Sequence, residues 1–408
     1  VNLAALGETI ASGQLGNSVN QTGDGTINAA DLVVRAQHNS DLTLTGNQFT
    51  RLAADMSTGG GDLSVVRGNS TNANITIDSL SVPGAASGSL TNTTVNGVAA
   101  SDTTGQVFVQ NLNGGLTQTS MAPVKVGGFA ADVTGSVALN ASTANEIDVL
   151  AALTGNGSIA VANKTAMQVN TVNAQNNAST PVNIKGVVGV RAQGTAQAVS
   201  LSVTDPGAGL TVANVDSDSN VTIDNAVSGT GTVTLATNTG AIETFGGIQA
   251  SGTLADVALN TAGGNISVGK TVLANRNVTA TVSAGAGSIT TGSTAPLTAS
   301  NGLVALSTQS GAITTAAAIT ATGDANTANS GRVTLNTVGG NISSGAAIQA
   351  SQGNVELVAL LREAWGCAWD CRAVVGAAAS GCVACLRLLV ERGCPIGVSG
   401  CWVQKGDV

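Results

Sequence analysis

Hydrophobic positions in this chain alternate with small polar ones over short stretches, and Gly, Asn or Ser breaks the pattern every few residues. In the stretch beginning at Val333, Val333 and Leu335 point one way and Thr334 and Asn336 the other. Ile342 follows the Gly339-Gly340-Asn341 corner, and Ile348 comes one short segment later. A period of two with turn residues between predicts strands, not helices, with three inward aliphatic positions per unit.

The unit repeats. Residues 257–274, VALNTAGGNISVGKTVLA, align without gaps on 333–350, VTLNTVGGNISSGAAIQA, with 11 of 18 positions identical. Related units start at Val233, Val278, Val304 and Val355, giving spacings of 24, 21, 26, 29 and 22 residues. Such a unit is too thin to fold alone. Stacked copies solve the problem: each becomes one turn of a coil whose strands pair in parallel with those above and below. Earlier in the chain DLVV at 31–34, DLTL at 41–44, DLSV at 62–65, NITI at 74–77, VALN at 137–140, LSV at 201–203 and VTI at 221–223 are the expected inward strands. Their irregular spacing reads as coils with longer loops, such as the Asn-rich 173–180. Roughly 15 coils at about 4.8 Å each would make a rod on the order of 70 Å long.

Composition explains what fills such a coil. Of 408 residues 53 are Gly, only 4 are Phe, 3 Trp and none Tyr, while 43% are hydrophobic. Walls about 10 Å apart take Val, Leu, Ile and Ala in register and rarely rings. A mean hydropathy of +0.27 excludes the disorder signature. A net charge of −8 with no basic cluster argues against a nucleic-acid partner. No run of eighteen apolar residues occurs, so no transmembrane segment is expected.

Units of the form V-x-L-x-T-x-x-G-x-I, rich in Gly, Asn, Thr and Ser and free of Cys, resemble the repeats of filamentous haemagglutinin-type adhesins. The resemblance covers about residues 20–358 and is strongest over 221–358. It implies an all-β, right-handed parallel β-helix. It also implies a secreted or cell-surface protein of a Gram-negative bacterium, exported by two-partner secretion through an outer-membrane transporter. The function implied is adhesion to glycans or proteins of a host or neighbouring cell, without enzyme activity. An Asn-Pro-Asn-type motif, usual in that family's secretion domain, is missing here, which leaves open an interior segment or another export route.

All six Cys and all three Trp fall after residue 360, so the chain divides into a β-helix segment, 1–358, and a partly helical tail, 359–408. Within 360–402, AAASGCVACLRLLVERGCPI resembles an ankyrin-type repeat. A fused or frame-shifted gene end and a genuine capping segment both remain open. Cys382 and Cys385 form one CxxC, but Cys367 and Cys371 are a CxxxC, and zinc would want a second tight pair.

Candidate chemistry is sparse. Asn20 to Asp31 has the oxygen spacing of a degenerate calcium loop but is short of carboxylates, so a polar coil corner is the better reading. Asp216, Asp218 and Asp224, near Asp205, form the densest acidic patch. They carry the alternative reading, a β-helix polysaccharide hydrolase or lyase working by acid and base. His38 is the only histidine and sits in a loop sequence, and Gly59-Gly60-Gly61-Asp62 is a single copy of a motif that needs stacking. No catalytic, cofactor-binding or metal-ligating residue is therefore assigned, and no cofactor is expected.

Overall fold

A strand that pairs in parallel must find its partner in another turn of the chain, because two parallel neighbours cannot be joined by a tight hairpin. The computed structural model describes residues 2–5, 18–21, 25–57, 61–68, 72–82, 93–100, 105–173, 187–215, 225–323, 330–351 and 354–359. Among them every regular element is a strand, and the strands stack in parallel from coil to coil, making a parallel β-helix. Apart from Ala359, which closes the strand Asn354–Ala359, the expected tail with its helical content and all the cysteines lies outside the described residues, as does VTI at 221–223. The chain forms two compact units, Val1–Thr230 and Gly231–Val408.

In the second unit the repeat becomes literal stacking. Val233, Val257, Val278, Val304, Val333 and Val355 pair in one column, and Leu235, Leu259, Ala280, Leu306, Leu335 and Leu357 in the next. Ile242, Ile266, Ile289, Ile313 and Ile342 form a third, on the far side of the corner. Ile248, Val272, Leu297, Ile319 and Ile348 form a fourth. Unequal spacings therefore change the loops and leave the register intact.

More of each unit faces inward than three aliphatic positions. Thr237, Thr261, Thr308 and Thr337 are also buried, at the strand's end. Thr237 and Thr261 both donate their hydroxyls to the carbonyl of Gly240, at 2.6 and 3.0 Å, and Thr308 and Thr337 repeat the pattern on Gly311. A buried hydroxyl is costly without a partner, and here it satisfies the corner carbonyl that has turned away from the ladder.

The same corner dictates glycine by close approach. Gly240, Gly264, Gly287, Gly311 and Gly340 stack so that a Cβ on each of the last four would overlap the carbonyl oxygen of the glycine one coil before. One residue earlier the constraint vanishes, since a Cβ at Gly339 would meet Ser310 at an ordinary 3.5 Å.

The first unit stacks its coils the same way. Leu63–Arg67, Gln106–Asn111, Val124–Val133, Glu146–Thr154, Val190–Ala192 and Asn225–Gly229 pair successively. Ile75–Ile77, Leu116–Gln118, Val137–Leu139, Ile159–Asn163 and Val199–Val203 do likewise. Its interior is more varied. A ring fits after all at Phe129, paired with Val107 and Leu150, and Phe49 is buried too. Two amide pairs recur in it. The side chains of Gln21 and Asn47 exchange hydrogen bonds of 2.7 and 2.8 Å, and those of Gln118 and Asn145 exchange bonds of 2.6 and 3.2 Å. In both pairs the Gln also donates to a carbonyl four residues on, Gly25 or Ala122.

Two loops read as irregular spacing are one device used twice. Strands Ser79–Val82 and Thr93–Asn96 pair antiparallel, as do Thr171–Val172 and Val187–Val188. Each hairpin leaves the coil at an Asx residue, Asp78 or Asn170, whose Oδ1 accepts the next amide at 2.8 Å. Each returns at a glycine with positive φ, Gly97 at 71° or Gly189 at 65°, whose amide donates back to that Asx carbonyl at 3.1 Å. The neighbouring coil ignores the insertion: Leu52 and Ala54 pair with Ile77 and Val98, and Leu150 and Ala152 with Val169 and Val190. Beneath the stems lie alanines, Ala53 and Ala151, and the hairpins cover outer-face apolar groups. Leu80 and Val95 pack on Val33 and Ala53, and Val172 and Val187 on Val66, Phe108, Ala130 and Ala151.

The stacked-glycine geometry predicts a sharp contrast. Gly311→Ala should destabilise the protein by about 1–3 kcal/mol, the usual cost of forced overpacking. Gly339→Ser, which copies Ser310 at the equivalent place, should stay within about 0.5 kcal/mol of the parent. Thermal melts followed by circular dichroism separate the two, and equal melting temperatures would refute the close-approach account.

Candidate functional site

With the interior filled, chemistry has to sit on the outer faces, and the register decides which side chains meet there. Most of the described ion pairs bridge neighbouring coils. Arg51 holds Asp31 with Nε and Nη2, at 2.6 and 2.7 Å, and reaches Asp78 at 3.3 Å. Glu146 lies 3.1 Å from Lys125 and 3.7 Å from Lys164. Arg276 grips Asp256 through two nitrogens, with Nε at 2.8 Å. Pairs this exposed contribute about 0–1 kcal/mol, so they pin register rather than hold a reactive group.

Two carboxylates depart from ordinary behaviour in opposite directions. Burial alone would raise Asp256, but hydrogen bonds from Arg276 and the Asn277 amide, with the charge of Arg276, hold it below the usual range. Asp62 is raised, because burial outweighs the one hydrogen bond that Gln106 donates to it from its backbone at 2.7 Å.

Among the described residues, those singled out from sequence do not converge. Asp31 of the calcium-like loop is committed to Arg51, and Asn20 Oδ1 accepts the Asp41 amide at 3.1 Å, while residues 22–24 lie outside the described set. His38 is exposed in a bend. Gly61 presses on the His38 backbone, and Gly59 and Gly60 lie outside the described residues. Asp205 opens a turn through Pro206 and Gly207, with the Ala208 amide returning to its carbonyl at 3.2 Å. Asp216, Asp218 and Asp224 lie outside the described residues. Among the described residues no three His, Cys, Asp or Glu side chains stand together as a metal site, and no helix is long and apolar enough to cross a membrane.

The most deeply buried of the described charged side chains in the first unit is an arginine. Arg67 is only 2% exposed and paired in register with Asn111; its Nε donates to the Phe49 carbonyl at 2.8 Å and Nη1 to Asn111 Oδ1 at 3.3 Å. Burial lowers its pKa.

The outer face of the first unit also carries a hollow of about 120 Å³, which sequence reading missed. Two columns frame it. Gln110, Asp132, Leu153 and Arg191 stack in one. Leu112, Thr134, Gly155 and Gln193 follow two residues on along the same strands or just past their ends. Gly155 leaves the gap, and Gln110, Asp132, Thr134, Leu153 and Gln193 are among the residues that surround it. Gln110 Nε2 donates to Asp132 Oδ2 at 2.8 Å, and Thr134 Oγ1 accepts the Gly114 amide at 2.8 Å. No sequence signal announced the cluster, because its members are 22, 21 and 38 residues apart along the first column.

Compared with protein-family models, with curated proteins and with solved structures, the chain finds no match in any of the three. The class it defines is thus structural: a parallel β-helix with two outer hairpins in its first unit.

The opposite pKa shifts predict opposite pH profiles. Asp256 contributes stability that is present above its unfolded pKa and lost as acid drives the pH down through its lowered folded value. Asp256→Asn should therefore be less stable than the parent at about pH 7, with the gap closing towards about pH 3. Asp62 is penalised once the pH rises from its unfolded pKa through its raised folded one. Asp62→Asn, which keeps an acceptor for Gln106, should be the more stable form at about pH 7 and match the parent in acid. Urea titrations at the two pH values measure both signs.

Proposed function

We propose that this chain is a structural and binding segment of a secreted or cell-surface bacterial adhesin, similar to the filamentous haemagglutinin-type exoproteins. The observation that carries the reading is the contrast between the two faces of the second unit. Inside, the columns are nearly invariant Val, Leu and Ile; outside, they are mostly small or polar and uncharged, with Glu243 and Leu273 as exceptions. Ser267, Thr290, Thr314 and Ser343 make one outward column, and Leu273, Thr298, Thr320 and Gln349 another. Asn260, Thr281, Ser307 and Asn336 make a third. A surface of hydroxyls and amides with few charges suits contact with glycans or with polar protein surfaces. In this reading the coils are the scaffold, glycans or proteins of a host or neighbouring cell are the partners, and an outer-membrane transporter exports the chain. Fold alone does not dictate function, so binding itself is the test. The purified chain, labelled and passed over a glycan array and a panel of extracellular-matrix proteins, should bind a subset saturably. Silence on both surfaces would remove the adhesive role and leave only a spacer.

A further inference from the structure

The outer hollow lies over Gly155, which brings no side chain to it. A Cβ built on Gly155 would meet the Thr134 backbone at 3.4 Å, an ordinary contact, so neither crowding nor a positive φ demands glycine there. The groups around the gap are partly unspent. Gln110 engages Asp132 Oδ2, and the half-buried Asp132 lines the hollow as an acceptor. Gln193 is exposed, with its amide available to donate and accept. Leu112 and Leu153 are half-buried, pack against the outer apolar cluster of Val66, Phe108, Ala130, Ala151, Val172 and Val187, and give the hollow an apolar wall.

Charge narrows the ligand. Arg191 follows Leu153 in the same column, and burial lowers its pKa while the charge of Asp132 pulls it back up. Its Nε is buried without a hydrogen-bond partner. With one carboxylate and one guanidinium the neighbourhood is neutral, so it favours neither an anion nor a cation. Acceptor, mixed amide and apolar wall together match a group that both donates and accepts beside a C–H face. Asp132 and Gln193 are two coil steps and two residues along the strand apart, roughly 12 Å between backbones, and their side chains narrow that gap to the width of one ring.

We propose that the hollow over Gly155, bounded by Asp132, Gln193 and Leu153, is a binding site for one sugar ring, holding two neighbouring hydroxyls. The choice of a sugar rests on the adhesive reading above; the position of the site rests on the geometry. Asp132 accepts from one hydroxyl, Gln193 bonds the other, and Leu153 packs against the ring's C–H face.

Saturation-transfer difference NMR on the full chain tests this, with the methyl glycosides of galactose, mannose and N-acetylglucosamine as probes. At least one should receive saturation from the protein. Asp132→Ala should weaken its binding about tenfold, the loss expected for one hydrogen bond to a charged group. Gly155→Val, which fills the gap, should abolish it, and Leu254→Ala, at an exposed position of the second unit, should leave it unchanged. Melting curves identify any variant that fails to fold, and Asp132→Asn serves as the milder substitute. Transfer to none of the three glycosides, or binding undiminished in folded Asp132 and Gly155 variants, overturns the site. If those variants still bind the glycan array as the parent does, the adhesive reading stands and this site falls. If a methyl glycoside binds here but the array and matrix proteins stay silent, the site stands and the adhesive reading falls.

Discussion

Everything in this protein depends on the parallel ladder between successive coils. A coil has no hydrogen-bonding partner of its own, so each of its strands must match the strand above and below residue by residue. Whatever is good at one inward position is then repeated at the next. That is why Ile242, Ile266, Ile289, Ile313 and Ile342 are all isoleucine, and why a corner carbonyl that overlaps a Cβ once forces glycine again at Gly264, Gly287, Gly311 and Gly340. Most polar groups in the interior have a partner supplied by the same logic, Thr244 Oγ1 being buried without one. Threonine hydroxyls serve the Gly240 and Gly311 carbonyls in the second unit, and Gln118 and Asn145 serve each other in the first.

The ladder also explains how large insertions are tolerated. Because pairing is made by backbone, a strand can be opened in the middle if the two cut ends stay one residue-step apart. The Asx and glycine stems do this at Asp78 with Gly97 and at Asn170 with Gly189, each pair 19 residues apart and closed by the same amide-to-carbonyl bond. Both glycines are required twice over. Their φ is positive, and a Cβ would overlap the carbonyl of Pro123 or Ala226 in the next coil. The coils beneath carry the matching Leu-Ala-Ala, at 52–54 and 150–152, since the small alanines leave room for the hairpin to lie flat.

Inward structure was legible from the sequence to the extent that it repeats. The second unit's starts at Val233, Val257, Val278, Val304, Val333 and Val355 are the observed register, because a long loop between coils costs little while a slipped register would turn every side chain over. The inward threonines were equally visible as T-x-x-G but look like polar surface until the corner carbonyl is placed. The hairpins were hidden for a different reason. Their equal lengths are plain in the numbering, yet little of the sequence inside them is shared, so they read as loose loops. Phe129 fits where composition suggested rings would not, because its column neighbours are the smaller Val107 and Leu150.

The candidate site was illegible for the reason that makes the fold work. In a stack of coils, side chains that touch on an outer face come from different turns, and the interval between them is set by whatever loops intervene. Asp132 and Leu153 are 21 residues apart, about one coil. Leu153 and Arg191 are adjacent in the same column but 38 apart, because the hairpin from 171 to 188 lies between them. Of the residues that local motifs name, the described Asp31 is committed to Arg51 and Asp205 to a turn. Binding surfaces on such a protein are properties of columns. A change at one position alters one rung of a site whose other rungs stay fixed by the ladder, so an outer face can vary in chemistry while the inner one keeps the register that builds it.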